Sequence, residues 1–334
     1  MGIWFVPRPS PRAFSVLAAA VTGYAVTSYV LFKKPHLLHK RKSFPFIAHH
    51  ISHRGGAGER IENSKEAFEN ACALGTELLE IDCRLTKDNE VVVFHDEDLK
   101  RCTGVEGAVR DFNYVDLPRY LQRLEVAFEP GTFCDRTNVE PSKILRLRDV
   151  FEAFPNVPIN IDIKDNDDRL VHAVADLIRE YKREKLTVWG GMSCEIADKC
   201  RRILPDALIF PPGEYVIRIL VYCYLGLLPF MPIPYSCFEL PMFFKVRSRA
   251  FLRQRGSDTL STRVFFALMD FFMTSPALFR HLHARGIPVF LWVGNTPEDF
   301  QKAFDLGADG VMTDYPTRLR AFLSSHPSLP GPHW

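Results

Sequence analysis

From about Ile47 to the C-terminus, short β-rich runs alternate with longer runs of helical period, and this alternation most narrows what the chain can fold into. Strands are read at 51–53, 78–84, 91–95, 159–164, 187–190, 207–210, 238–240, 289–293 and 310–313. Helical periodicity is read at 65–74, 147–154, 168–181, 195–204, 276–285, 297–306 and 316–324. Repeated βα units make parallel sheets, because each helix carries the chain back to the edge where the next strand starts. Roughly 280 residues of such units fit one closed (β/α)8 barrel of the TIM type, and the α/β class follows. An open doubly wound sheet is the alternative, and it usually shows a glycine-rich phosphate turn after its first strand. Here that strand runs into His53-Arg54-Gly55-Gly56, and there is no GxGxxG.

The rest of the chain divides around this barrel. Residues 1–12 form a tail and residues 13–32 carry no charge, a length that matches the hydrocarbon of a bilayer at helical rise. The apolar run ends in bulky Tyr29, Leu31 and Phe32 rather than a small-residue cleavage site, which favours an uncleaved transmembrane anchor over a signal peptide. Residues 33–46 read as a basic linker with Lys33, Lys34, Lys40, Arg41 and Lys42, against Arg8 and Arg12 before the anchor. This excess of cations places the barrel, residues 47–324, in the cytoplasm. Residues 325–334 form a C-terminal tail. Within the barrel, 99–142 breaks the βα rhythm with Pro118, Pro130, Gly131 and Pro141, and reads as an insertion bordering the site. Residues 216–234 are apolar on all sides apart from Arg218, and either touch a membrane or are buried; 264–273 is a further apolar patch. The net charge of +2 in 334 residues gives no basic face for nucleic acid. The eight cysteines are scattered without a CxxC pair, which argues against a zinc ribbon or a disulfide scaffold.

Four motifs fall where strands are expected to end, the face on which barrel enzymes keep their chemistry. His53-Arg54 offers a proton carrier and a guanidinium that can fork onto phosphate. Glu80-Ile81-Asp82 puts two carboxylates on one strand face, an arrangement costly without a compensating cation. A hard divalent ion is the simplest compensation. His95-Asp96 closes VVVFHD with a second histidine. Asp162-Ile163-Lys164 closes INIDIK, and an ammonium in a barrel mouth calls for an anion such as a substrate phosphate. Two histidines, three acids and two cations together suit phosphoryl transfer.

These segments resemble the glycerophosphodiester phosphodiesterases. The resemblance rests on HRGGAGERIENSKEAF, LLEIDCRLTKDNEVVVFHDEDLKRCTG, NIDIK, LWVGNTPEDF and DGVMTDYP, and runs in order from His49 to Leu323. It implies a barrel with an insertion after the second histidine. It implies His53 and His95 as the acid/base pair, Arg54 and Lys164 on the phosphate, and Glu80, Asp82 and Asp162 around Mg2+ or Ca2+, with His95 close enough to count as a ligand. The anchor and the LLPFMPIP stretch further resemble the small membrane-anchored animal members, which release lysophosphatidic acid and an amine alcohol from lysophospholipids. A bilayer and a lysophospholipid or glycerophosphodiester are then the expected partners, without a protein partner, and an endoplasmic reticulum or perinuclear membrane is the expected location. The third acid is Glu in many members and Asp162 here, and Ile61 and Ser64 stand where Pro and Thr are usual. Phospholipase C-like cleavage and a non-catalytic lipid-binding role are the alternative functions.

Overall fold

The structure is a computed structural model that describes residues 11–136, 139–242, 252 and 258–327. Residues 1–10 of the expected N-terminal tail and 328–334 of the C-terminal tail lie outside the described residues.

Among the described residues, eight parallel strands form the path of the central sheet: β1 His50–Ser52, β2 Leu78–Leu85, β3 Ile159–Ile163, β4 Thr187–Gly190, β5 Leu208–Ile209, β6 Phe238–Pro241, β7 Val289–Trp292 and β8 Gly310–Thr313. Their order, β6-β7-β8-β1-β2-β3-β4-β5, follows the chain once the path is read as a circle. The two ends of the path meet where the Ser236 amide donates to the Ile209 carbonyl at 2.7 Å. Alternation along each strand separates two packing layers. Leu79, Ile81, Ile159, Ile161 and Leu291 point outward into a shell with the helices, including Leu170, Val174 and Ile178 of the Asp168–Glu180 helix. Leu78, Val188, Leu208 and Phe290 pack inside the barrel, where Phe44 and Ala48 join them. The stretch before β1 is therefore folded against the barrel. Lys42 bonds the Arg285 and Tyr235 carbonyls through its amide and ammonium.

Two details differ from the strand pattern expected of the sequence. Val91–Val93 pairs antiparallel with the end of β2 and is a hairpin arm outside the eight-strand path. It ends before His95, so that histidine sits in the connection leading to 99–142. His53 opens a 3-10 turn, His53–Gly55, directly after β1. Arg54, Gly55 and Gly56 all have positive φ (51°, 78° and 103°), which extended backbone cannot accommodate. At Gly55 a Cβ would also stand 2.6 Å from the Phe68 ring, so glycine is required there on two counts.

The segment 99–142 packs Leu99, Tyr120, Leu124 and Cys134 against Ile61, Val92 and Phe94 in a small cluster, and carries a hairpin of Arg123–Glu125 with Phe133–Asp135. The N-terminal helix runs Pro11–Lys33. It is one helix long and apolar enough to cross a membrane. Apolar residues 216–234 divide between two environments. Ile219, Leu220 and Leu228 are buried in the shell, whereas Ile217, Val221, Tyr224 and Leu225 are exposed.

Candidate active site

At the C-terminal mouth of the barrel, His53, Arg54, Glu80, Asp82, His95, Asp162 and Lys164 line a single pocket of about 590 Å3. Strand register explains the convergence. Glu80 lies beside Asn160 and Asp82 beside Asp162 on neighbouring strands, so four polar side chains share the inner face in two layers. The 3-10 turn after β1 brings in His53 and Arg54, and the hairpin arm beside β2 brings in His95.

The histidines are held differently. His53 Nδ1 lies 2.6 Å from Asp314 Oδ1, and Asn295 Nδ2 donates to the other oxygen of Asp314 at 2.9 Å. Burial disfavours the charged form of His53, but the Asp314 carboxylate outweighs it and holds the pKa above the usual 6.5. His95 Nδ1 lies 2.6 Å from Asp96 Oδ1, and Arg101 clamps Asp96 from the far side. Burial dominates at His95 and lowers its pKa despite the Asp96 contact.

The acids and cations form a connected lattice. The Arg54 amide donates to Glu80 Oε2 at 2.8 Å, its Nη1 donates to Glu62 at 3.1 Å, and its Nε lies 3.4 Å from Asp82. Lys164 Nζ sits between Asp82 Oδ1 at 2.8 Å and Asp162 Oδ2 at 2.6 Å. Asn63 Nδ2 donates to the second Asp82 oxygen at 2.9 Å. Burial would raise the Asp82 carboxyl, yet Lys164 and Arg54 hold it well below the usual carboxylate range. Glu80, buried and next to charged Asp82, is pushed up to about 7, and burial raises Asp162 as well. With Lys164 between two of the acids, no three-acid cage is closed among the described residues.

Three further residues complete the site beyond the four sequence motifs: Asp314, Glu239 and Phe128. Asp314 stands in the DGVMTDYP motif, and an acid directly after an apolar strand was the available signal. Glu239 of β6 lines the same pocket and accepts from Asn160 Nδ2 at 2.8 Å; burial raises it well above the ordinary carboxylate value. It is the lone acid in an apolar strand, SCFELP, a pattern as informative as Glu80. Phe128, from the segment 99–142, packs edge-on against both His53 and Trp292, with centroids 5.6 and 6.2 Å away. Its contribution needs the tertiary fold to be seen. The other side of the pocket is apolar, walled by Met192, Val216, Ile217, Met269 and Met273.

Two histidines, a carboxylate cluster and two cations gather at the C-terminal mouth of a (β/α)8 barrel, the face on which barrel enzymes keep their active sites. The chain belongs to the glycerophosphoryl diester phosphodiesterase family, whose model matches residues 53–193 and 247–318. It is accordingly a phosphoric diester hydrolase. It is 46% identical over 314 residues to Lysophospholipase D GDPD1 of Homo sapiens, covering 94% of this chain and 98% of that one. It is 37% identical to Lysophospholipase D GDPD3 of Homo sapiens, covering 92% and 95%. Among solved structures, it resembles a glycerophosphodiester phosphodiesterase of Agrobacterium tumefaciens, with a TM-score of 0.56, 17% identity and coverage of 82% and 100%. It also resembles an Oleispira antarctica phosphodiesterase in complex with the product sn-glycerol-3-phosphate, with a TM-score of 0.57, 15% identity and coverage of 83% and 97%. These two likenesses speak to the fold.

Proposed function

We propose that this chain is a membrane-anchored lysophospholipase D. It hydrolyses monoacyl glycerophospholipids to lysophosphatidic acid and an alcohol such as choline, ethanolamine or an N-acylethanolamine, with the barrel facing the cytoplasm. The observation that carries the reading is the two-sided pocket, polar with paired histidines on one side and apolar on the other. An amphiphile with one phosphodiester fits that division. The names of the relatives that align along nearly the whole chain support it, and the Pro11–Lys33 helix supports the anchor.

The donor set fits a hard divalent cation, Mg2+ or Ca2+. Glu80, Asp82, Asp162 and Glu239 outnumber Arg54 and Lys164 in the pocket, and Asp162 Oδ1 is buried without a hydrogen-bond partner among the described residues. Glu80, Asp82 and Asp162 would hold the ion with His95 at its edge, and it would supply charge stabilisation to the phosphoryl oxygens. Arg54 and Lys164 bind and orient the phosphate. His95, kept neutral by burial, takes the proton of the attacking hydroxyl. His53, kept protonated by Asp314, gives its proton to the oxygen of the departing alcohol as the P–O bond breaks. In the proposed route the attacking group is the free glycerol hydroxyl next to the phosphate, because an intramolecular nucleophile gains effective molarity. Water then attacks phosphorus, losing a proton to His53, while His95 returns its proton to the glycerol ring oxygen as that P–O bond breaks and the cyclic phosphate opens.

The route distinguishes substrates. In mixed vesicles, a monoacyl phosphatidylcholine should be hydrolysed at least about tenfold faster than its diacyl counterpart, whose blocked hydroxyl forfeits that gain. Equal rates on the two lipids would contradict the reading.

It also sets a pH dependence. His53 must carry its proton, so activity falls as pH rises through a pKa that Asp314 holds above 6.5. Asp314→Asn removes that charge and should move the alkaline limb of kcat to lower pH, while the acid limb, set by His95, stays. An unmoved alkaline limb would separate Asp314 from the proton donor.

A further inference from the structure

We propose that the apolar side of the pocket is an acyl-chain site that opens sideways into the bilayer between the Gly213–Tyr224 and Leu260–Met273 helices. This rests on the reading of the substrate as a monoacyl lipid, and adds how the chain of that lipid is held and where it enters.

The first observation is the inverted polarity of the Leu260–Met273 helix. A helix on the outside of a water-soluble barrel turns apolar residues inward and charges outward, as the Asp168–Glu180 helix does with Leu170, Val174 and Ile178 buried. Leu260–Met273 buries Met273 but turns most of its apolar residues outward and its one acid inward. Leu260, Val264, Phe265, Leu268 and Phe271 are 76%, 49%, 56%, 50% and 70% exposed, whereas Asp270 is 8% exposed. The spacing 260, 264, 265, 268, 271 follows one helical stripe, so these side chains form a continuous face rather than scattered apolar residues.

The second observation fixes what covers that face. Tyr24 Oη and Ser28 Oγ of the membrane-spanning helix donate to the Leu225 and Gly226 carbonyls at 2.5 and 2.6 Å. Next in sequence, Tyr224 donates to the Phe272 carbonyl at 3.1 Å and packs edge-on against the Phe272 ring at 5.1 Å. The anchor, the end of the Gly213–Tyr224 helix and the Leu260–Met273 helix are thus in direct contact with one another, and Ile217, Val221 and Leu225 beside these contacts are also exposed. A surface continuous with a bilayer-spanning helix is covered by that same bilayer.

The third observation ties the surface to the site. Met269 and Met273 of the inverted helix and Val216 and Ile217 of its neighbour line the catalytic pocket. The two helices that meet the lipid therefore also wall the cavity that ends at His53 and Lys164. Ile217 belongs to both, being 53% exposed and part of the lining. Unbranched methionines adapt to a flexible chain of variable length. A lysolipid would pass between these helices with its acyl chain remaining in an apolar medium while its phosphate reaches the polar end.

The test uses the full chain in phosphatidylcholine vesicles with a lysophosphatidylcholine whose acyl chain ends in a diazirine. After irradiation and proteolysis, crosslinks should fall in the Gly213–Tyr224 and Leu260–Met273 peptides. Release of choline from the same probe is followed in parallel. Crosslinks confined to other segments while the probe is hydrolysed would overturn this inference and leave the lysophospholipase reading standing. Absence of hydrolysis would overturn that reading instead. Membrane contact is checked separately with Phe271→Trp. The emission it adds over wild type should fall at least twofold when the vesicle lipids carry chain-brominated tails, and an unchanged increment would overturn the lateral opening.

Discussion

Replacing His53 or His95 with alanine is expected to lower kcat by about two to four orders of magnitude each, the usual contribution of a positioned general acid or base. The two losses should differ in character. His53 is buried and set by Asp314 and Asn295, so its loss removes the protonated donor while Asn295 continues to satisfy Asp314. Substrates whose leaving alcohol is already acidic need little protonation, and His53→Ala should be least impaired on them. His95 is more open and is set by Asp96, which Arg101 keeps ionised and in place. His95→Ala should be impaired regardless of leaving group, because the attacking hydroxyl still has to lose its proton. Neither variant should lower Tm by more than a few degrees, since neither side chain belongs to the apolar core. Near-wild-type turnover of either variant, on a lysolipid with an unactivated alcohol, would remove that histidine from its role.

Removal of divalent metal is the second large effect. Exhaustive chelation should lower activity by at least about a hundredfold, because a cation that stabilises phosphoryl charge is worth several kcal/mol and each 1.36 kcal/mol is tenfold in rate. Mg2+ or Ca2+ should restore it. Glu80→Gln and Asp82→Asn should each weaken cation binding, read by calorimetry on the folded protein as well as by the concentration that restores turnover. The two acids differ in charge before the cation arrives: Asp82 stays ionised beside Lys164 and Arg54, whereas Glu80, pushed up to about 7, ionises fully once a cation is bound. Cation binding should accordingly release a proton and tighten as pH rises through that value. Undiminished activity after exhaustive chelation would show that the reaction needs no divalent metal.

The sequence reveals those parts of the structure whose information is local. The βα rhythm and the mouth motifs are local patterns, and each of the eight parallel strands can be traced to one. Glu80 with Asp82 and Asp162 with Lys164 were visible as pairs because alternation along a strand is a property of consecutive residues. That the pairs sit beside one another is set by the β2–β3 register, which puts Asp82 opposite Asp162. Val91–Val93 reads like the barrel strands because it is equally apolar; its antiparallel pairing to β2 follows from the short turn that joins them. Asp314 lies 261 residues from His53, so its partnership was not a sequence property. Residues 216–234 carry two answers at once. Leu220 and Val221 are neighbours and equally apolar, yet one is 7% exposed and the other 48%. Composition cannot separate them, and only the packing of the helix against the barrel does.

As a lysophospholipase D, this mouth breaks the phosphodiester on the alcohol side and leaves the phosphate on the glycerol. Mass spectrometry of the products formed by the full-length protein from a lysophosphatidylcholine in 18O-labelled water tests it most directly. Lysophosphatidic acid and free choline are expected, with the label in the phosphate. Phosphocholine and monoacylglycerol as products would contradict it.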